Sequence, residues 1–214
     1  MSKVYAMKKF RVAIGLVLAV LVMGCTRQPE VSLNLRVSTA DPVILQEVRR
    51  ILLFRFSKFR PSFLASIEST IDGSILSFRF KGGAPAQPIV TYLYQTPGRV
   101  WTTLVESSAV LFTDQDIEQA ALAYENKSHV VRLRLTPAAG NRVLALTTRN
   151  VGKTARLTLD GRVLLEAVIT GVLRDSFQIT SPEQDTEKAM ALVAVLQSGA
   201  LPADVSLGDD ADGM

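Results

Sequence analysis

Side chains that commonly do chemistry in proteins are scarce in this chain. Its 214 residues include one cysteine, Cys25, and one histidine, His129. A metal site built from several histidines is therefore excluded. His129 precedes a predicted strand without positioned partners, so we interpret it as a partly exposed structural residue rather than a general base. On these grounds we expect no enzymatic activity, no metal and no cofactor.

Three further patterns have simpler explanations than a ligand site. Asp114, Asp116 and Glu118 fall in the first turns of a predicted helix, where carboxylates complement the helix dipole. The acidic run 209–212 lacks the glycine and glutamate of a calcium loop. The segment 152–154, Gly-Lys-Thr, resembles the end of a phosphate-binding loop, but the earlier glycine is missing and the segment closes a helix instead of opening one. No small-molecule substrate is indicated.

The N-terminus indicates a covalent modification of Cys25. A basic segment, residues 3–11, precedes an uncharged run of twelve residues, 12–23. That run is shorter than the roughly 20 apolar residues of a membrane-spanning helix, and Gly24 is the small residue that a signal peptidase needs beside its cut. The tetrapeptide Val-Met-Gly-Cys at 22–25 resembles the lipobox of bacterial lipoproteins. The resemblance implies cleavage after Gly24 and acylation of Cys25 with chains such as palmitate. An uncleaved anchor with an incidental cysteine is the alternative.

Cleavage would change the charge of the chain. The whole sequence has 24 Lys+Arg and 20 Asp+Glu, and four of the basic residues lie in 1–24. The mature chain would therefore have 20 of each and no net charge. Without a net positive field, nucleic acid is not expected as a partner. No second long apolar run follows Cys25.

Residues 31–106 are predicted to form a first α+β unit. Alternating apolar residues predict a strand at 31–38, and Asp41-Pro42 is typical of a helix start. The following helix extends to about Phe56, with Arg55 on its apolar stripe. Strands at 63–68 and 75–80 flank a turn at 72–73, followed by a helix at 88–95 and a strand at 99–105. This order, strand, helix, strand, strand, helix, strand, indicates a ferredoxin-like unit.

A second α+β unit is predicted from 107 to 202. It begins with a helix at 113–125 and a strand at 130–135, followed by a helix that starts at Thr136-Pro137. Strands at 155–159 and 163–169 are joined by a hairpin turn at 160–161, and a short strand follows at 176–179. The last helix starts from a capping box at 181–184 and ends at Gly199. We assign Trp101, Phe112 and Phe177 to the core, Arg132 and Arg134 to a solvated strand face, and the acidic segment 203–214 to a disordered tail.

Motifs in the second unit resemble those of a known family. They are Asn-Val-Gly-Lys at 150–153, Leu-Asp-Gly-Arg-Val-Leu at 159–164, Phe-Gln-Ile at 177–179 and Leu-Gln-Ser-Gly-Ala-Leu-Pro at 196–202. Their order and spacing are similar to those of the periplasmic head of SecD, an accessory subunit of the bacterial Sec translocon. The resemblance covers about 97–202, and 31–106 is similar in layout to the ferredoxin-like base of the same region.

The resemblance implies a module that binds polypeptide. SecD heads are thought to contact unfolded preprotein, and such contacts use apolar patches and free sheet edges. We expect the face around Leu173 and Phe177 to take this role. SecD continues beyond Leu-Pro into a returning strand and membrane helices, whereas twelve residues follow Pro202 here. We therefore expect a lipid anchor in place of membrane helices and no coupling to the proton gradient.

The sequence leaves two functions open. The first is an envelope lipoprotein that binds unfolded or translocating polypeptide near the Sec translocon. The second is a structural or assembly lipoprotein that acts as a protein–protein adaptor. In both, 1–24 is a signal peptide, 25–30 is a tether and the module faces the periplasm. Thr26 after the cysteine favours the outer membrane if the host has two membranes.

Overall fold

Three antiparallel sheets and four helices make up the part of the chain that the computed structural model describes, namely residues 30–58, 66–82, 86–182 and 185–208. The helices are α1 (Pro42–Lys58), α2 (Gln87–Gln95), α3 (Pro137–Arg149) and α4 (Thr186–Ser198). The strands are β1 (Glu30–Val37), β2 (Ser66–Asp72), β3 (Ile75–Lys81), β4 (Val100–Leu104), β5 (Val110–Thr113), β6 (Ile117–Glu125), β7 (Ser128–Leu135), β8 (Thr154–Leu159), β9 (Arg162–Val168), β10 (Ser176–Thr180) and β11 (Val205–Leu207). The fold is α+β, as the sequence predicts.

The first sheet, which we call the base sheet, has the strand order β11-β1-β3-β2. Its inner face is apolar and packs against α1, where Phe56 meets Phe78 and Phe80 edge to face with ring centroids 5.1 and 5.4 Å apart. The order corresponds to that of a ferredoxin-like unit whose fourth strand is β11. The predicted layout is confirmed for β1, α1, β3 and α2, whereas β2 begins at Ser66 and the preceding residues lie outside the described ranges.

The sequence prediction for the fourth strand of this sheet is wrong. The strand predicted at 99–105 is β4, which pairs with β5 and β8 in another sheet. The strand that completes the base sheet is β11, where Val205 and Leu207 pair with Val37 and Leu35 of β1. The prediction of a disordered segment at 203–214 is therefore wrong for 205–207, because backbone pairing orders these residues. The boundary drawn at residue 106 stays a prediction.

The chain between α2 and β11 forms the other two sheets, which we call the head. One has the order β5-β4-β8-β9 and the other β10-β7-β6. Asp160 and Gly161 form the turn between β8 and β9, as predicted, with backbone φ angles of 50° and 81°. The apolar side chains of both units belong to one continuous buried cluster.

Strand β6 replaces the helix predicted at 113–125. Only Asp114–Asp116 form a single 3-10 turn, closed by the Thr113 backbone N–H donating to the Asp116 carboxylate at 2.8 Å. After it, the chain extends and pairs with β7 through a two-residue turn at Asn126 and Lys127, both with positive φ. The sheet partner and the covering helix α4 override the helix propensity of this alanine-rich segment.

Side-chain caps explain where three of the described helices, α1, α3 and α4, start. Asp41 accepts from the N–H of Val43 at 2.8 Å, and Thr136 accepts from the N–H of Ala139 at 3.4 Å, as predicted. Helix α4 is capped by Asp185, whose carboxylate accepts from two backbone N–H groups at 2.9 and 3.0 Å. The N-cap predicted at Ser181 is thus four residues too early. Among the described residues, no helix has the length and hydropathy to cross a bilayer.

Candidate functional site

Leu173 and Phe177 line the same apolar cavity, which we call the head groove. Its volume is about 210 Å³, and it lies between the inner face of the β5-β4-β8-β9 sheet and the opposite wall formed by α3, β10 and the connection after β9. The walls are almost entirely apolar. On the sheet side they include Thr102, Phe112, Ala155, Leu157, Leu165 and Ala167, and on the opposite side Val143, Ile169, Leu173, Phe177 and Ile179.

Small residues on neighbouring strands leave room for the groove. Ala155 of β8 lies directly opposite Ala167 of β9, whereas the adjacent cross-strand pair on the same face is Leu157 with Leu165. A cross-strand pair brings its side chains side by side on one face of the sheet. Two methyl groups in place of two leucine side chains therefore open the floor of the groove toward the outer strand β9.

Backbone contacts fix the opposite wall. Thr147 is fully buried in α3, and its hydroxyl accepts from the N–H of Leu173 at 3.0 Å. Two residues later, the carbonyl of Asp175 accepts from the N–H of Leu135 at 2.7 Å. Leu173 thus lies at the groove rim, 37% exposed. The sequence prediction that Leu173 and Phe177 share one face is consistent with this geometry, but contact with polypeptide stays a prediction.

Aromatic packing supports the inner end of the groove. Phe177 is half-buried on β10 and its ring lies 5.2 Å from the ring of buried Phe112, measured between centroids. The Thr102 hydroxyl in the same wall is buried and has no hydrogen-bond partner among the described residues. The assignment of Phe112 to the core is confirmed, and Phe177 contributes to both core and groove.

Strand β9 forms a free edge beside the groove. It is the last strand of its sheet and pairs only with β8 among the described residues. Val163 and Val168 are 49% and 54% exposed. The outward backbone groups of an edge strand are a template for pairing with another extended chain.

Trp101 lies on the other face of the same sheet. It was expected in the core, and this expectation is wrong because the side chain is 51% exposed. Its partners across the sheet are Thr113 and Thr158, so it projects from the outer face. The alternation along β4 explains the error, because Val100 and Thr102 on either side are the buried positions.

Arg55 joins the base sheet and the head, a role that the sequence analysis did not predict. Its side chain is fully buried in α1. The guanidinium donates to the carbonyls of Leu93 at 2.8 Å, Pro97 at 3.0 Å and Gly199 at 3.1 Å, to the Ser198 hydroxyl at 2.8 Å and to the Thr96 carbonyl. These acceptors belong to the C-terminal ends of α2 and α4. The position of an arginine on the apolar stripe of a helix was the sequence signal that could have indicated this buried role.

The guanidinium of Arg55 stays charged at neutral pH although it is buried. Burial lowers the pKa of Arg55 to about 10, while the carboxylate of Asp160 opposes that shift, so the guanidinium is charged at neutral pH. Asp160 itself accepts from the N–H groups of Gly98 and Arg99 at 3.0 and 2.8 Å. Helix C-termini carry partial negative charge and favour a cation. We call Arg55 and its acceptors at the ends of α2 and α4 the joint. It consists of a charged donor and neutral acceptors.

The remaining candidate residues show no constellation for chemistry. His129 is the second residue of β7 and is buried rather than partly exposed, with Nε2 at 3.2 Å from the Thr186 hydroxyl. Arg134 forms an ion pair with Glu118 at 3.1 Å, and Arg132 with Glu125, on an exposed strand face. Within the described ranges, no group of three potential metal ligands occurs. Gly24 and Cys25 lie outside the described residues, so cleavage and acylation stay predictions.

Comparisons with known proteins agree on the head. The family model for the SecDF P1 head subdomain matches residues 90–203. Over 106 residues the chain is 32% identical to the protein translocase subunit SecD of Aquifex aeolicus, and over 100 residues it is 27% identical to the protein translocase subunit SecDF of Thermus thermophilus. These alignments cover 49% and 46% of this chain but only 21% and 14% of the relatives.

Solved structures extend the similarity to the base sheet. A crystal structure of SecDF in a super-membrane-facing form matches with a TM-score of 0.72 and 18% identity, covering 86% of this chain and 30% of that one. A structure from a study of SecDF as a membrane component that enhances protein export matches with a TM-score of 0.66, covering 84% of this chain and 98% of that one. At this identity the similarity shows the fold alone.

Proposed function

We propose, because this chain belongs to the SecDF P1 head subdomain family, that it binds unfolded or translocating polypeptide at the cell envelope. The head groove beside the free edge of β9 is the observation that carries the proposal. An unfolded chain exposes apolar side chains and unpaired backbone, and the groove and the edge complement these two features. The proposed partners are secretory polypeptide and the Sec translocon.

We further propose that the module is held at the membrane by acylated Cys25. The lipobox-like sequence supports this anchor, and more than one acyl chain gives stable attachment. Strand β1 starts at Glu30, so the tether from Cys25 spans at most about 18 Å when extended. The base sheet would then lie close to the membrane, with the module on the periplasmic side and, from Thr26, at the outer membrane. The proposal is confined to binding.

Site-specific photo-crosslinking tests the polypeptide contact. A photoreactive residue in place of Leu173 or Phe177 is expected to crosslink to a stalled secretory chain. The control position is Val43 in the first turn of α1, which is apolar and 76% exposed but lies outside the groove. Absence of crosslinks from both groove positions, or equal yields from Val43, would contradict the proposal.

Acyl labelling tests the anchor. The full chain is expected to incorporate a labelled fatty acid, and the Cys25→Ser variant is expected to lose the label and the membrane fraction. Because Cys25 is the only cysteine, no other thiol can take the acyl group. Label retained in the Ser variant would exclude lipidation at this position.

The exposed Trp101 supports a second candidate function, the protein–protein adaptor. Tryptophan is enriched at the centres of protein interfaces, and this one projects from a sheet face outside the groove. An adaptor would retain a stoichiometric folded partner in Leu173→Asp and lose it in Trp101→Ala. The reverse result would favour the polypeptide-binding function.

A further inference from the structure

We infer that the bound segment adds to β9 as a fifth strand of the β5-β4-β8-β9 sheet and inserts one large apolar side chain into the head groove. This inference rests on the proposed function and specifies how the polypeptide is recognised. It assigns affinity to backbone pairing and selectivity to a single side-chain position.

The first argument is that β9 is the edge best suited to accept a strand. It has seven residues, whereas β5 has four and β11 three. The edge of β2 is partly occupied, because Arg49 donates to the carbonyl of Ser69 at 3.2 Å. The outer strand β6 does not line the groove. Strand β10 does line it, but it has only five residues. Among the described strands, β9 therefore combines length, free backbone and proximity to the groove.

The second argument is the size of the groove. Its volume of about 210 Å³ is below the roughly 300–1,000 Å³ of typical small-molecule sites. It exceeds the roughly 150 Å³ of an apolar cavity that binds benzene. A phenylalanine or leucine side chain thus fits, whereas a drug-sized ligand does not. The Ala155–Ala167 pair provides this space next to β9.

The third argument excludes a folded partner or a second copy of the chain as the occupant of the groove. Stable interfaces bury about 800 Å² on each partner. The large apolar side chains that line the groove and are exposed are Val168 and Leu173. Two such side chains supply too little area for a docked globular surface. An extended chain needs less area, because its backbone hydrogen bonds to the edge add to the apolar contact.

Strand geometry then fixes the pattern of the ligand. Successive side chains of a strand point to opposite faces. A segment paired with β9 places one residue over the groove beside Ala167, while its immediate neighbours project toward the outer face with Val163. The recognised feature is therefore a single large apolar residue within an extended polar segment, rather than a long apolar run.

Peptide binding to the full chain, measured by fluorescence anisotropy, tests both parts. The probe is an extended nine-residue peptide of serine and threonine with one central phenylalanine. Replacing that phenylalanine by alanine is expected to weaken binding tenfold or more. N-methylation of the backbone at alternate positions is expected to weaken binding tenfold or more. N-methylation at the intervening positions is expected to change affinity less than about threefold, because only every second N–H faces the edge.

A groove-filling variant separates binding from stability. Ala167→Leu is expected to keep or raise the melting temperature of the protein. It is expected to weaken binding of the phenylalanine peptide at least tenfold. The matched control, Val163→Leu, lies on the same strand but pairs with Thr158 on the outer face, so it is expected to leave affinity unchanged. Hydrogen exchange is expected to show peptide-dependent protection in β9.

The outcomes distinguish the inference from the function on which it rests. If no peptide of this series or any unfolded polypeptide binds, the proposed function fails together with the inference. Binding without the alternating N-methyl effect, or with protection in β10 instead of β9, overturns strand addition to β9 while the function stands. Equal affinity for the phenylalanine and alanine peptides overturns the side-chain anchor.

Discussion

At the scale of single residues, Arg55 contributes more to the architecture than any residue singled out from the sequence. Its donors join the last turn of α2 to the last turn of α4, which are the two places where the chain passes between base sheet and head. A lysine has one nitrogen with three donors and cannot reproduce the planar fork of arginine. The arrangement therefore depends on guanidinium geometry as well as on charge.

Arg55→Lys is expected to lower the free energy of unfolding by about 2–4 kcal/mol, because several buried carbonyls lose a charged donor. The measurement is chemical denaturation. Arg50→Lys is the control on the same helix, where the exposed side chain only pairs with Glu47. Its expected loss is below about 0.5 kcal/mol. Equal losses in both variants would show that the buried contacts of Arg55 are not energetically special.

Gly98 is required by the same joint. Its φ is +90°, and a Cβ atom built there lies 2.7 Å from Nη2 of Arg55 and 3.2 Å from the Gly199 carbonyl. Gly98→Ala is expected to cost about 2–4 kcal/mol, combining backbone strain with displacement of the guanidinium.

Gly152→Ala is the matched control for Gly98→Ala. Gly152 has a similar φ of +86°, but no atom lies within 4 Å of its built Cβ. Gly152→Ala is expected to lower the free energy of unfolding by only about 1 kcal/mol, from backbone strain alone. The difference between the two unfolding free energies, measured by denaturant titration, reports the contact with Arg55. No difference would contradict a crowded joint.

At the scale of secondary structure elements, most predictions depend on local sequence signals such as caps and turn residues. These predictions are correct where neighbouring residues alone determine the element. Thr136-Pro137 starts α3, and Asp160-Gly161 forms a hairpin turn. The segment 117–125 shows the opposite case, because its alanine-rich sequence favours a helix while its partners impose a strand. The signal for the true turn, Asn126-Lys127, is weak because lysine is unusual at positive φ.

Lys127→Gly is expected to stabilise the protein by about 0.5–1 kcal/mol, since Lys127 has a φ of 65° that glycine adopts without strain. The corresponding position in the β8–β9 hairpin is Gly161, with a φ of 81°. Gly161→Lys is expected to destabilise by a similar amount. Thermal unfolding of both variants checks the pair, and shifts of the same sign would contradict the turn assignment.

The head groove could be predicted only in part from the sequence. Phe177 lies in the motif at 177–179, and the resemblance led us to expect that it shares a surface with Leu173, which lies outside the matching motifs. The free edge of β9 and the Ala155–Ala167 pair depend on sheet order and register, which local patterns do not determine. Exposure of Trp101 likewise depends on which face of β4 is covered.

At the scale of the whole molecule, the head is an insertion into the base sheet. The chain leaves after α2 and returns through α4 to β11, which lies beside β1. The sequence could not predict this return, because three residues without a strong pattern form the closing strand. Their order comes from pairing with β1 and from Gly208, whose N–H donates to the Asn34 carbonyl at 2.9 Å.

Truncation tests whether β11 completes the fold. A chain that ends before Asp204 is expected to lose about 2–4 kcal/mol, and about 5–15 °C in melting temperature, because β1 becomes an unpaired edge. The control is a chain that ends at Gly208, which keeps the paired residues and is expected to melt like the full chain. Equal melting temperatures for the two truncations would show that β11 contributes no stability.

The position of β1 has a mechanical consequence. It lies between β3 and β11, and Glu30 is at the end of β1 opposite to the residues that pair with Val205. A pulling force between the head and the segment before Glu30 is divided between the two connections, and the part carried by the second enters β11 at Val205 and leaves β1 at Glu30. The two strands are then loaded in shear, so their hydrogen bonds share the force instead of opening one after another. If a translocating chain pulls on the head, the attachment strand resists as a unit.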